Sequence, residues 1–163
     1  MPALSKVAQA TVTRPSDTTQ YTAGDVVADS TSAAVILEFG DVAKFPGWGG
    51  IINAATLIDS VAAGTKPDFD LYLFHTTVVM ENDNAAWDPS DTEATYLIGI
   101  ISFLGSNFET MGANGAIQVQ NIGLPYQTFG GGTKIYGILV ARNAYTPASA
   151  EVFTVKLHCV RDD

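Results

Sequence analysis

Five carboxylates and two amides crowd one stretch of the chain, Glu81-Asn82-Asp83-Asn84-Ala85-Ala86-Trp87-Asp88-Pro89-Ser90-Asp91-Thr92-Glu93. Hard cations such as calcium take oxygen ligands of this kind, so Asp83, Asp88, Asp91 and Glu93 are the metal candidates. Their spacing departs from the twelve-residue calcium loop, which needs Asp or Asn at alternate positions, a central Gly and a closing Glu. The stretch therefore reads better as a solvated connection or an intersubunit loop, and neither a metal nor a cofactor is expected. His75 and His158 stand outside any Cys-rich or Glu-x-x-His context, so zinc would need both to meet a third ligand. Gly130-Gly131-Gly132-Thr133-Lys134 lacks the four-residue gap and the following helix of a phosphate loop, and reads as a turn before a strand. No Gly-x-Ser-x-Gly elbow is present, and a buried Cys159 would be inert. Two converging loops could still pair carboxylates as acid and base, but a non-enzymatic role is the expectation.

The aromatics offer binding chemistry of a different kind. Trp48 in Pro46-Gly47-Trp48-Gly49-Gly50, together with Trp87 and Tyr145, could stack on a sugar or anchor a protein interface. For a small sheet protein, core or interface is the favoured reading. Phe69, Leu71 and Leu73 alternate with Asp70, Tyr72 and Phe74, which gives that strand an aromatic second face. Trp48, Tyr72, Phe74 and Trp87 are accordingly the interface candidates, and alanine at Tyr72 and Phe74 is expected to weaken assembly.

The elements that position these residues read as strands. Strand-length runs lie at Lys6–Thr13, Asp25–Ala28, Ala33–Phe39, Gly50–Ile58, Phe69–Thr77, Tyr96–Leu104, Ala116–Asn121, Lys134–Ala141 and Glu151–Val160, with Gly, Pro, Asn and Asp between them. The last is the plainest. Phe153, Val155, Leu157 and Cys159 alternate with Val152, Thr154, Lys156 and His158, which points Cys159 inward. A short helix or turn is possible only around Ser106–Gly112. Eight to nine strands imply an all-β, two-sheet antiparallel sandwich, with tails at 1–5 and 161–163. At 163 residues and 47% hydrophobic content, one domain is the simplest organisation.

Charge narrows the partners. Eight Lys and Arg against 17 Asp and Glu give a net charge of −9, which repels a phosphate backbone and argues against nucleic acid. Between Lys66 and Lys134 no cation interrupts Asp68, Asp70, Glu81, Asp83, Asp88, Asp91, Glu93 and Glu109, so an acidic surface is expected there. No apolar run approaches a membrane span, no signal peptide is apparent, and the single cysteine forms no internal disulfide.

Three stretches carry a resemblance. Arg14-Pro15-Ser16-Asp17-Thr18-Thr19-Gln20-Tyr21-Thr22-Ala23-Gly24-Asp25-Val26-Val27 resembles the amino-terminal signature of small structural proteins of tailed bacteriophages. Asp83-Asn84-Ala85-Ala86-Trp87 and Arg142-Asn143-Ala144-Tyr145-Thr146-Pro147-Ala148-Ser149 are similar to later stretches of such proteins. The resemblance implies a capsid decoration, or cement, protein with a jelly-roll sandwich. Such a protein is made in the host cytoplasm, binds the outer surface of the major capsid protein shell and bridges capsomers. A homodimer or homotrimer is expected, with no catalytic residues. Two rivals are a carbohydrate-binding module that stacks sugars on Trp48, Trp87 or Tyr145, and a sandwich hydrolase.

Overall fold

The computed structural model describes residues 4–62 and 64–162. Ten strands run through it: β1 (Leu4–Thr13), β2 (Val26–Val27), β3 (Leu37–Phe39), β4 (Gly49–Asp59), β5 (Phe69–Phe74), β6 (Leu97–Phe103), β7 (Glu109–Met111), β8 (Asn114–Gln127), β9 (Ile135–Ala141) and β10 (Val152–Arg161). Nine of them coincide with the runs read from the sequence. The tenth, β7, and a 3-10 turn at Gly105–Asn107 occupy the place where a short helix or turn was expected. A single helical turn, α1 (Asp91–Ala94), falls inside the acidic stretch. The expected tails are shorter than read, because Leu4, Ser5 and Arg161 belong to strands and Leu4 pairs with Arg161. Asp162 follows β10 and its amide donates to the Gly49 carbonyl at 3.0 Å, while residues 1–3 and 163 lie outside the described residues.

The strands form two antiparallel sheets, ordered β1-β10-β4-β8-β7 and β2-β9-β5-β6, with β3 also on β9. Since β2 and β3 pair successive stretches of β9, they act as one interrupted strand. First and last strands are neighbours, and the chain crosses from one sheet to the other at most of its connections, which is the double Greek key of a jelly roll. This strand order decides between the jelly roll and other sandwich topologies, which periodicity alone leaves open.

Between the sheets, Leu57, Phe69, Leu71, Phe103, Phe153 and Leu157 form the main core, and Cys159 points into it as the alternation of β10 requires. A second cluster lies on the far face of the β2-β9-β5-β6 sheet: Val26, Ala28, Phe74, Val78, Ile138 and Val140, covered by Ile36, Met80 and Trp87. That sheet is thus buried on both faces along β5 and β9, whose patterns are nearly continuous apolar runs. β8 runs past Gly123 and Pro125, where a break was expected, because Asn121 and Gly123 adopt positive φ in a bulge opposite β4. Proline is tolerated there because β8 has no neighbour on its outer side beyond residue 116. Gly49, one residue before the strand run read from the sequence, and Gly50 are the first residues of β4. A Cβ on them would lie 2.1 Å from the Tyr126 carbonyl oxygen and 2.2 Å from that of Val160, so only glycine fits without backbone movement.

Candidate functional site

The acidic stretch folds as a lid over the outer face of the second sheet, and two of its carboxylates, Asp83 and Glu93, are spent on the protein itself. Asp83 is buried: its Oδ2 accepts from Arg14 Nη2 at 2.9 Å, and its Oδ1 accepts from Tyr21 Oη at 2.5 Å and from the Ala28 amide at 2.9 Å. Arg14 Nε in turn donates to Tyr21 Oη, and its guanidinium lies over the Tyr21 ring. Burial and the bond to Asp83 push the Tyr21 hydroxyl well above its ordinary range, so it serves as a donor throughout physiological pH. Glu93 closes a capping box on α1, accepting from the Ser90 amide at 3.0 Å, the Ser90 hydroxyl and the Val79 amide. These bonds hold the Glu93 carboxyl below its usual range. Asp88 and Asp91 remain exposed. Among the described residues, no three His, Cys, Asp or Glu side chains converge as a metal site would require. The calcium candidates are therefore not brought together. The surface is also less acidic than expected, since Asp70 and Asp83 are buried and Asp70 pairs with Arg142 at 3.2 Å.

The three stretches that carry the phage resemblance meet at this point. The Val26 amide donates to Ala85 and the Asn84 amide to Val26; Asp25 bridges to Ala86, and Tyr21 to Tyr145. Asn84 takes φ of 63°, a left-handed conformation that asparagine tolerates. Arg14 Nη1 reaches the Ala148 carbonyl at 3.4 Å. On the other side of Ala148 lies a second buried cluster. Glu151 accepts from the Ala148 amide at 2.8 Å, from Tyr145 Oη at 2.5 Å and from Lys66 Nζ at 3.2 Å, while Lys66 Nζ also sits 2.5 Å from Asp59 Oδ2. Burial, then the hydrogen bond to Glu151, push the Asp59 carboxyl up to about 7. One ammonium against two carboxylates leaves one proton's worth of charge to be neutralised. Asp59, Lys66 and Glu151 are all buried, so they clamp strands together and offer no open acid–base pair to a substrate. Sequence reasoning missed both clusters. The sole hint was the scarcity of cations, of which two are inside.

The aromatic candidates divide. Phe74 is 2% exposed and Tyr72 half-buried, and both pack against Trp87, with ring centroids 6.1 and 6.2 Å away. The expectation that Tyr72, Phe74 and Trp87 form an outward contact face is corrected: the 76–96 excursion folds back over β5 and turns that face into core. Trp48 does stand out, 39% exposed, in edge contact with Phe45 at 4.9 Å. The Trp48 loop is tied to the 128–132 turn by Gly47 to Thr128 Oγ1 at 3.1 Å and Thr128 to the Trp48 carbonyl at 3.0 Å. Phe129 on that turn is 64% exposed and tilts over His75 at 5.3 Å, with Tyr96 also in edge contact with the imidazole. The glycine triplet is the turn expected, leading into β9. The structure thus presents a rim of Phe45, Trp48 and Phe129 on braced loops at one end of the sandwich. His158 lies apart, on β10, with its Nε2 3.3 Å from the Thr56 hydroxyl.

No protein-family model matches the chain, and no curated protein matches its sequence. Among solved structures, it is similar to a chain of the capsid asymmetric unit of cyanophage Pam1, at 16% identity and a TM-score of 0.39, over 97% of this chain and 86% of that one. It is similar to a chain of the capsid of Ralstonia phage GP4 at 14% identity and a TM-score of 0.39, over 99% and 86%. It is also similar to a family two carbohydrate esterase from Cellvibrio japonicus, at 10% identity and a TM-score of 0.31, over 97% of this chain but 35% of the esterase. At these identities and scores the jelly roll stands on the strand order itself, and a functional reading has to stand on the chain's own residues.

Proposed function

We propose that the chain is a structural virion protein of a tailed bacteriophage, a cement subunit that binds the outer face of the major capsid shell and bridges capsomers. One observation carries the reading. The three separate stretches that resemble phage structural proteins, around Arg14–Val27, Asp83–Trp87 and Arg142–Ser149, interlock in one buried knot, as the signature of a shared fold would and a chance likeness of loops would not. The net charge of −9 supports a place outside the genome-filled interior. The braced rim of Phe45, Trp48 and Phe129 is the surface proposed to seat on the shell, because preordered aromatics anchor protein contacts at low entropic cost. A body that touches two capsomers adds binding free energy only to the assembled head. No enzymatic activity is part of the proposal.

Purified protein mixed with intact, genome-filled heads and with free capsid subunits tests this. Stoichiometric density at symmetry-related sites on heads alone is the expected result, and Trp48→Ala with Phe129→Ala should lower occupancy. No binding to heads would refute the proposal. The exposure of Trp48 and Phe129 beside the Gln127 amide favours a second reading, sugar stacking, which a glycan array would detect.

A further inference from the structure

The two sides of the sandwich treat their strand edges differently. On one side the second sheet ends in β2 and β3, of two and three residues, and the first in β1; Lys6 with Asp41 and Lys134 with Glu38 place charge around them. Short strands and charge are the usual means of blunting an edge. On the other side the second sheet ends in β6, which pairs with β5 alone, and the first ends in β8, unpaired on its outer side beyond residue 116. Both edges are long and carry no charge: between Glu93 and Lys134 the one charged residue is Glu109. Leu124 of β8 reaches across to Gly99 of β6, so the two edges form one wall. Leu97 and Ile100 of β6 stand 40% and 48% exposed. Asp70, which accepts from Ser102 of β6, pairs with Arg142 at 3.2 Å, and Asp68 accepts from the Gly105 amide beyond the end of the strand.

We infer that the β6 edge is a self-association surface, on which a second copy of this chain pairs β6 with β6 across a two-fold axis. Charge selects the occupant. Two copies at −9 repel wherever their acidic surfaces meet, and β6 itself carries no charged residue, so pairing this edge with its own copy sets no carboxylate of the strand against another. Geometry selects the symmetry. Antiparallel pairing of a strand with its own copy is isologous, and Ile100 is the middle residue of Leu97–Phe103, so the axis sets Ile100 against Ile100 of the second copy. Seven residues give an edge of about 23 Å whose free backbone groups satisfy one another. The inference adds a named surface to the cement reading, but it concerns the free protein, so head binding and self-association can fail separately.

Sedimentation of the full chain across concentration and salt is the test. The wild type should associate reversibly, and more tightly as salt screens its net charge. Ile100→Asp, which places two carboxylates across the axis, should weaken the association at least tenfold with its circular dichroism unchanged. Val35→Asp, on the opposite side, should leave it intact. Leu97→Asp substitutes if Ile100→Asp does not fold. Hydrogen exchange on the wild type reads the same surface without a variant: β6 amides not bonded to β5 should gain protection with concentration. A wild type that stays monomeric, an Ile100→Asp variant that associates like the wild type, or β6 amides unprotected in the associated form would overturn the inference.

Discussion

Replacing Asp59 by asparagine should remove a pH dependence that the buried lysine cluster imposes on stability. Asp59 is fully buried, accepts from the Val61 amide at 2.8 Å, and shares Lys66 with Glu151. Its carboxyl is held up to about 7 against an ordinary 3.8, first by burial and then by the hydrogen bond to Glu151. The folded state therefore keeps a proton that the unfolded chain has released. For an acid shifted upward, that contribution is fully present below pH 4 and is lost as pH rises through 7. At about 1.4 kcal/mol per pH unit for one differential proton, the loss between pH 4 and 7 is about 4 kcal/mol. The substituted side chain would keep the acceptor for Val61 and present an amide where the protonated carboxyl stood. Urea unfolding of the wild type and of Asp59→Asn from pH 4.5 to 8.5 measures the difference. The variant should gain on the wild type as pH rises to about 7 and hold a constant lead above it. Parallel curves, or a wild type that gains on the variant, would show that the cluster holds no extra proton.

Asp83→Ala leaves the buried Arg14 guanidinium, the Tyr21 hydroxyl and the Ala28 amide without their acceptor, and should cost about 3–5 kcal/mol in chemical denaturation. Ala150 occupies a left-handed conformation at φ of 54° with its side chain exposed, so Ala150→Gly should stabilise the protein by about 0.5–1 kcal/mol, visible as a higher Tm. Since Asp83 and Glu93 already serve Arg14 and the α1 cap, millimolar calcium and EDTA should give the same Tm; a rise with calcium would show that the loop reorganises around a cation.

The buried ionic clusters also bear on how a subunit of the proposed kind would be held rigid. Removing a partner from a buried ion pair is costly, while the pair itself adds little net stability. Arg14–Asp83 and Lys66–Glu151 join residues 69 and 85 positions apart, so their physical effect is to hold long connections in one register. A rigid body with ordered loops loses little entropy when it docks, which favours a subunit that must bridge two partners at fixed spacing.

Period-two alternation along β10 determined from sequence alone that Phe153, Val155, Leu157 and Cys159 face the core, because successive side chains of a strand must point to opposite sides. Gly, Pro and Asn clusters marked the turns for an equally local reason, and the excess of acid over base argued against a nucleic-acid partner. The second face of β5 was a different matter. Alternation says only that Tyr72 and Phe74 point away from Leu71 and Leu73; whether solvent, a partner or the chain itself lies there depended on the 76–96 excursion. The same limit hid Arg14–Asp83 and Lys66–Asp59, where a cation and a carboxylate far apart in sequence meet only because the topology stacks their loops. It hid the open edge of β6 as well, since a strand's own residues do not say whether another strand lies beside it. Local geometry writes a pattern into the chain, whereas neighbours across sheets are chosen by the packing of the whole molecule.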